Sequence, residues 1–114
     1  MRAAVTASLF GAYPATLSPV ALATDLPVDL ELALAVDVSR SVDDEEAALQ
    51  RNGYINAFRH TSILDAITHG PFGRIAVTYF EWAGYARIRP VVPWMIIKDR
   101  ASAVEVVLKV RRVA

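Results

Sequence analysis

Residues 28–41 read VDLELALAVDVSRS, and the architecture of the chain follows from this stretch. Polar and apolar residues alternate at its start, and the run is then apolar up to Asp37. This pattern predicts a strand that is half exposed at its beginning and buried on both faces at its end, as in parallel sheets. A carboxylate at the end of a buried strand must be paired, hydrogen-bonded or metal-bound, because an isolated buried charge is costly.

A helix is predicted directly after this strand. Ser41 is a suitable N-cap, Asp44 follows three residues later, and acidic residues fill positions 43–46, where they suit the positive end of the helix dipole. Leu49 and Arg51 fit poorly to the apolar stripe of this helix. The stripe itself consists of Ala47, Ala48, Tyr54, Ile55 and Phe58.

The remaining elements continue an α/β pattern. A short helix is predicted over residues 62–68, a buried strand over 74–82, and a strand over 87–94 that two prolines restrict to a sheet edge. A last helix begins at Asp99 or Ser102, with its apolar stripe at Ala103, Val106, Val107 and Val110. This order predicts the N-terminal half of a Rossmann-like, doubly wound, mostly parallel α/β sheet.

The N-terminus has the features of an export signal. A single arginine near the start is followed by no charged residue until Asp25, and the apolar stretch ends in Ala21-Leu22-Ala23, with cleavage expected after Ala23. These features predict a signal peptide over residues 1–23 and a periplasmic or secreted mature chain over 24–114. Two prolines within the stretch disfavour the alternative of a membrane-spanning anchor.

Composition excludes several classes of function. Hydrophobic residues make up 54% of the chain and charged residues 21%, as in globular proteins. Twelve basic residues balance twelve acidic ones, so no net charge attracts nucleic acid. The chain has no cysteine, which excludes disulfides, zinc–thiolate sites and thiol nucleophiles.

The loop after the first strand carries the candidate chemistry. Asp37, Ser39 and Ser41 are spaced by two residues in a turn that leaves a strand, where ligands of α/β sheets bind. This spacing can bring a carboxylate and two hydroxyls to one point. Three hard oxygen donors suit Mg²⁺, Ca²⁺ or Mn²⁺ better than zinc or copper.

The same loop, preceded by the apolar strand 30–36, resembles the Asp-x-Ser-x-Ser loop of von Willebrand factor A (vWA) domains. In that family the loop forms part of the metal-ion-dependent adhesion site. The resemblance implies that Ser39 and Ser41 bind a metal through their hydroxyls, and that Asp37 binds it directly or through water.

A wider resemblance covers most of the mature chain. Residues 28–42, 50–54, 73–79 and 81–84 look like an uncharacterised group of secreted bacterial A-like proteins that is described only as a domain of unknown function. A-type domains complete their metal site with a threonine and an aspartate from two later loops. By that comparison, residues 24–114 are expected to be a vWA-like domain that is incomplete at its C-terminus. In the family a later strand lies beside the first one, so without that later strand the first strand is expected to be an exposed edge.

The favoured function is a non-catalytic, metal-dependent binding module whose protein partner offers a carboxylate to the metal. One alternative is a truncated and inactive fragment. Another is a metal-dependent hydrolase or phosphatase that uses Asp37 or Ser39. The enzyme alternative is disfavoured because no second aspartate stands two residues after Asp37, no glycine-flanked nucleophile elbow is present, and neither His60 nor His69 follows a later strand.

Four further groups of residues carry weaker signals than the loop does. Glu81 is either an outer partner of the metal site or an ordinary hydrogen-bonded carboxylate at a strand end. Trp82 and Trp94 are expected in core or edge packing rather than on a partner surface. His60 and His69 are expected at the surface. A protruding arginine at position 40 could contact an acidic partner.

Overall fold

The computed structural model describes residues 25–85 and 87–113. The predicted signal peptide, residues 1–23, lies outside the described residues. Within the described ranges, no helix has both the length and the apolar character needed to cross a bilayer.

The order of elements confirms the sequence-based prediction of a small α/β fold, including the two helical pieces between the first two strands. The chain forms three strands and three helices: β1 (Glu31–Asp37), α1 (Asp44–Arg59), α2 (Thr61–Thr68), β2 (Ile75–Ala83), β3 (Arg87–Ile97) and α3 (Arg100–Arg111).

The three strands form one mixed sheet in the order β1-β2-β3. β1 pairs in parallel with β2, so that Val36 lies opposite Glu81, and β2 pairs antiparallel with β3. The predicted edge position of the third strand is confirmed, and Pro90 can be accommodated there because an edge strand has one side free of ladder hydrogen bonds.

All described helices pack on one face of the sheet. Along β2 the buried side chains alternate with more exposed ones, and the buried set joins a single core with α1, α2 and α3. The largest fully buried side chains in this core are Tyr79, Ile97, Glu81, Val77, Val92, Val106 and Val110. Within the described residues the fold therefore has two layers, a sheet and one layer of helices.

The second face of the sheet is uncovered in the described part of the chain. Ala33 and Ala35 on β1 are exposed there, so the expectation of burial on both faces at the end of this strand is not met. Trp82 and Trp94 are 37% and 57% exposed, so neither belongs to the core; Trp94 lies on the edge strand β3. An apolar strand sequence indicates that the strand is buried, but it does not show on which face. The placement of the helices decides which face of the sheet is buried.

The first helix begins two residues later than Ser41 would place it. Its N-cap is Asp43, whose Oδ1 accepts from the Glu46 amide at 2.8 Å, while Glu46 Oε2 accepts from the Asp43 amide at 3.2 Å. Ser41 instead lies in a turn, in which the Val42 amide donates to the Ser39 carbonyl at 2.8 Å. The predicted Ser41 cap is therefore wrong. Ser41 belongs to the turn, and the helix begins only after this turn ends.

We expect Asp43→Ala to lower the free energy of unfolding by about 1 kcal/mol, since the capping side chain satisfies a helix N–H that otherwise has no partner. Ser41→Ala, which removes a polar side-chain group two residues away, should cost clearly less. Urea unfolding of both variants measures the difference. Equal losses would contradict the observed cap.

The last helix begins at one of the two positions that the sequence predicted. Asp99 is the N-cap, and its Oδ1 accepts from the Ser102 amide at 2.8 Å. The predicted apolar stripe is confirmed, since all four of its residues are buried: Ala103, Val106, Val107 and Val110.

Candidate functional site

The loop at residues 37–41 leaves the sheet at the carboxyl end of β1. The parallel pairing extends one residue past the strand, because the Val38 amide donates to the Trp82 carbonyl at 2.9 Å. The chain then turns, and the Ser39 amide donates to Asp37 Oδ1 at 2.8 Å. Gln50 on α1 reaches the Asp37 carbonyl at 3.5 Å. The loop is therefore held from both the sheet and the helix.

The structure brings the three predicted oxygen donors together. The hydroxyl oxygens of Ser39 and Ser41 lie 3.2 Å apart, and the Ser39 backbone amide donates to Asp37 Oδ1 at 2.8 Å. Magnesium–oxygen bonds of about 2.1 Å in octahedral geometry place adjacent ligand oxygens about 3 Å apart. The hydroxyl pair has this spacing, so the donor set fits a hard divalent cation.

Asp37 is ionised at neutral pH. Its pKa lies below the ordinary aspartate value because the Ser39 hydroxyl and then the Ser39 amide donate hydrogen bonds to the charged form, against a smaller opposing effect of burial. A lowered pKa contributes stability that is complete above the ordinary aspartate pKa and is lost as the pH falls through the lowered value. Protons therefore compete for this carboxylate only in acid.

Hydroxyl ligands are essential to any metal site at this loop. Within residues 25–85 and 87–113, no group of three or more His, Cys, Asp or Glu side chains is placed to hold a metal ion. The two histidines lie at the surface, as predicted. His60 caps α2 by accepting from the Ser62 amide at 3.2 Å, and His69 contacts the Asp65 carbonyl at 2.7 Å.

A buried ion pair lies beside the loop. The side chain of Glu81, 1% exposed, receives Arg51 Nε at 2.6 Å on Oε2 and Arg51 Nη2 at 3.0 Å on Oε1. The Tyr79 hydroxyl donates to the same carboxylate at 3.4 Å, and the Tyr79 ring packs edge-on against Tyr54 at 5.5 Å. Glu81 is thus a fully paired carboxylate next to the end of β1.

The Arg51–Glu81 pair was not predicted from the sequence, although the sequence contains a signal for it. Arg51 falls outside the apolar stripe of α1, and the structure explains why: its side chain crosses to β2. Hydrogen bonding to Glu81 raises the pKa of Arg51. Burial raises the pKa of Tyr79, and the negative charge of Glu81 adds to that rise.

Two cavities open next to the loop. The larger, of about 540 Å³, is lined by Val38, Val42, Asp44, Ala47, Ala48, Arg51, Glu81, Ala83, Arg87 and Arg89. The smaller, of about 470 Å³, is lined by Ser39, Arg40, Ala83, Gly84 and Arg87. The carboxyl ends of β1 and β2 are therefore surrounded by arginines as well as by the oxygen donors of the loop.

A family model described as "Protein of unknown function (DUF1194)" matches residues 27–114. The chain belongs to this family. The match confirms the resemblance to a group described only as a domain of unknown function. No curated protein and no solved structure matches the chain.

The DUF1194 match includes every strand and helix described above, the loop at residues 37–41 and the Arg51–Glu81 pair. In this DUF1194 chain, one loop carries the oxygen donors of Asp37, Ser39 and Ser41. The chain also has guanidinium groups close by, which suit an anionic group. Both features lie at the edge of the sheet where α/β folds bind their ligands.

Proposed function

We propose that this DUF1194 chain is a vWA-like, non-catalytic binding module of an exported protein. In this proposal the loop at residues 37–41 holds Mg²⁺, or Ca²⁺ or Mn²⁺ in its place. A carboxylate of a protein partner then occupies a coordination position that the chain leaves open. The observation that carries the proposal is the convergence of one carboxylate and two hydroxyls at the carboxyl end of a strand.

The fold supports the vWA-like assignment in outline. β1 and β2 are parallel and are joined through helices, as consecutive strands are in the Rossmann-like sheet of vWA domains. The proposed metal-binding loop joins the first strand to the first helix, and vWA domains have their metal-binding loop at the same position. These features support the proposed family relationship at the level of topology and loop position.

Each residue of the loop has a role in the proposal. Ser39 and Ser41 would bind the cation through their hydroxyls, and Asp37 would bind it directly or through water. A bound divalent cation supplies a Lewis-acidic contact for a partner's carboxylate. The hydrogen bond from the Ser39 amide orients the Asp37 carboxylate, and the Ser39 hydroxyl and amide together lower the pKa of this carboxylate.

Binding without turnover is favoured by the surroundings of the possible nucleophile. Ser39 hydrogen-bonds Asp37 and Ser41, whereas in the described residues the two histidines hydrogen-bond Ser62 and Asp65. His60 caps the far end of α1, which is about 24 Å long at 1.5 Å per residue. A serine nucleophile would need a base within hydrogen-bond reach.

Addition of MgCl₂ is expected to raise the melting temperature of the protein, and EDTA should reverse the rise. At a metal concentration one hundred times the Kd, binding stabilises the folded state by about 2.7 kcal/mol, which corresponds to a shift of several degrees. Asp37→Asn, which keeps the shape of the side chain but removes its charge, should abolish the shift. Ser39→Ala and Ser41→Ala should each reduce it.

Asp65→Asn is the matched control, because Asp65 is an exposed aspartate on α2, away from the loop. This variant should respond to MgCl₂ as the unaltered chain does. A full response in Asp37→Asn, or none in the unaltered protein at millimolar metal, would refute the metal site.

A further inference from the structure

The larger cavity beside the metal loop has a chemistry of its own. We infer that it binds a small organic anion, a carboxylate on a short apolar body, and that Arg87 and Arg89 hold the anionic group. This cavity of about 540 Å³, the arginine pocket, lies between α1, the loop and the ends of β2 and β3.

The strand register directs both arginines into this pocket. Arg89 lies opposite Glu81, and Arg87 lies opposite Ala83. Residues directly opposite each other in an antiparallel pair point to the same face of the sheet. Glu81 faces α1, where it meets Arg51, so the two β3 arginines leave the sheet on the same side.

The pocket has an excess of positive charge. Its lining has three arginines and two carboxylates, and one of each is consumed by the Arg51–Glu81 pair. In the part of the chain that the structure describes, that pair is the sole ion pair within 4.0 Å. Arg87 and Arg89 thus have no carboxylate partner among those residues, and Asp44 is the one remaining acid in the lining.

The rest of the lining explains the apolar body of the expected ligand. It consists of small aliphatic side chains: Val38, Val42, Ala47, Ala48 and Ala83. The volume lies within the roughly 300–1,000 Å³ of typical small-molecule sites. Guanidinium groups pair with carboxylates through two parallel hydrogen bonds, which makes a carboxylate the matching head group.

This inference goes beyond the proposed metal-dependent function. None of Asp37, Ser39 and Ser41 lines the arginine pocket. Binding of the anion should therefore persist in EDTA, and it should also persist in Asp37→Asn. These two conditions separate failure of the pocket from failure of the metal site.

The test is isothermal titration calorimetry of the full chain with sodium hexanoate in the presence of EDTA. We expect one binding site, with at least tenfold weaker binding of inorganic phosphate, which lacks the apolar body, and of 1-hexanol, which lacks the charge. The double variant Arg87→Ala/Arg89→Ala should bind hexanoate at least tenfold more weakly. Arg59→Ala, an exposed arginine at the end of α1, is the control and should bind normally.

A second measurement keeps the test valid if the double variant does not fold. In NMR spectra of the unaltered chain, hexanoate should shift the side-chain Nε–Hε signals of Arg87 and Arg89 but not that of Arg59. Equal affinity in the double variant, or shifts confined to other residues, would overturn the inference. Equal binding of 1-hexanol would overturn the anion site, and equal binding of phosphate would overturn its apolar part.

Discussion

Arg51→Ala is expected to lower the free energy of unfolding by about 3–5 kcal/mol, because it leaves a buried carboxylate without its counter-charge. Glu81 is 1% exposed, and Arg51 supplies two of the hydrogen bonds that its oxygens receive. Urea unfolding followed by circular dichroism measures the loss.

Two further variants make this result interpretable. Arg59→Ala removes an exposed arginine from the same helix and should change stability by no more than about 0.5 kcal/mol. The double variant Arg51→Met/Glu81→Leu removes both charges and should recover most of the stability, since apolar side chains of similar volume often replace a buried pair without loss. A loss in Arg51→Ala as small as that in Arg59→Ala would show that the pair is open in solution.

Ile97→Ala is expected to cost about 2–5 kcal/mol, the usual range for truncating a fully buried aliphatic side chain. Ile97 is 0% exposed at the end of β3, in the core that α3 also joins. Removing its methyl groups leaves a cavity that the surrounding side chains fill only in part. The shift of the urea midpoint at constant m-value gives the change in stability.

The same strand provides the matched control. Ile88 is 69% exposed on β3, so Ile88→Ala should change stability by no more than about 0.5 kcal/mol. The comparison tests the central feature of the fold, which is that the described helices cover one face of the sheet. Similar losses in the two variants would show that the second face is also buried in solution.

The sequence alone was sufficient for the features that depend on local interactions. The alternation and apolar run before Asp37 identify β1, the two prolines identify an edge strand, and the spacing of four small apolar residues identifies the buried side of α3. Each of these depends on residues within a few positions of each other. The placement of Asp37, Ser39 and Ser41 in one loop is local in the same way, which is why the candidate cation site could be predicted.

The features that sequence did not provide depend on contacts between distant segments. Arg51 and Glu81 are separated by 30 positions. Neither residue identifies the other as its ion-pair partner in the sequence, because the two meet only when α1 packs on β2. The exposure of Trp82 and Trp94 depends on which face the helices cover, because an aromatic strand residue has the same local pattern on either face. The arginine pocket likewise exists because the β2–β3 register turns Arg87 and Arg89 toward the helix side. Strand identity is a local property of the chain, but strand register and the choice of covered face are set by packing energy summed over the whole core.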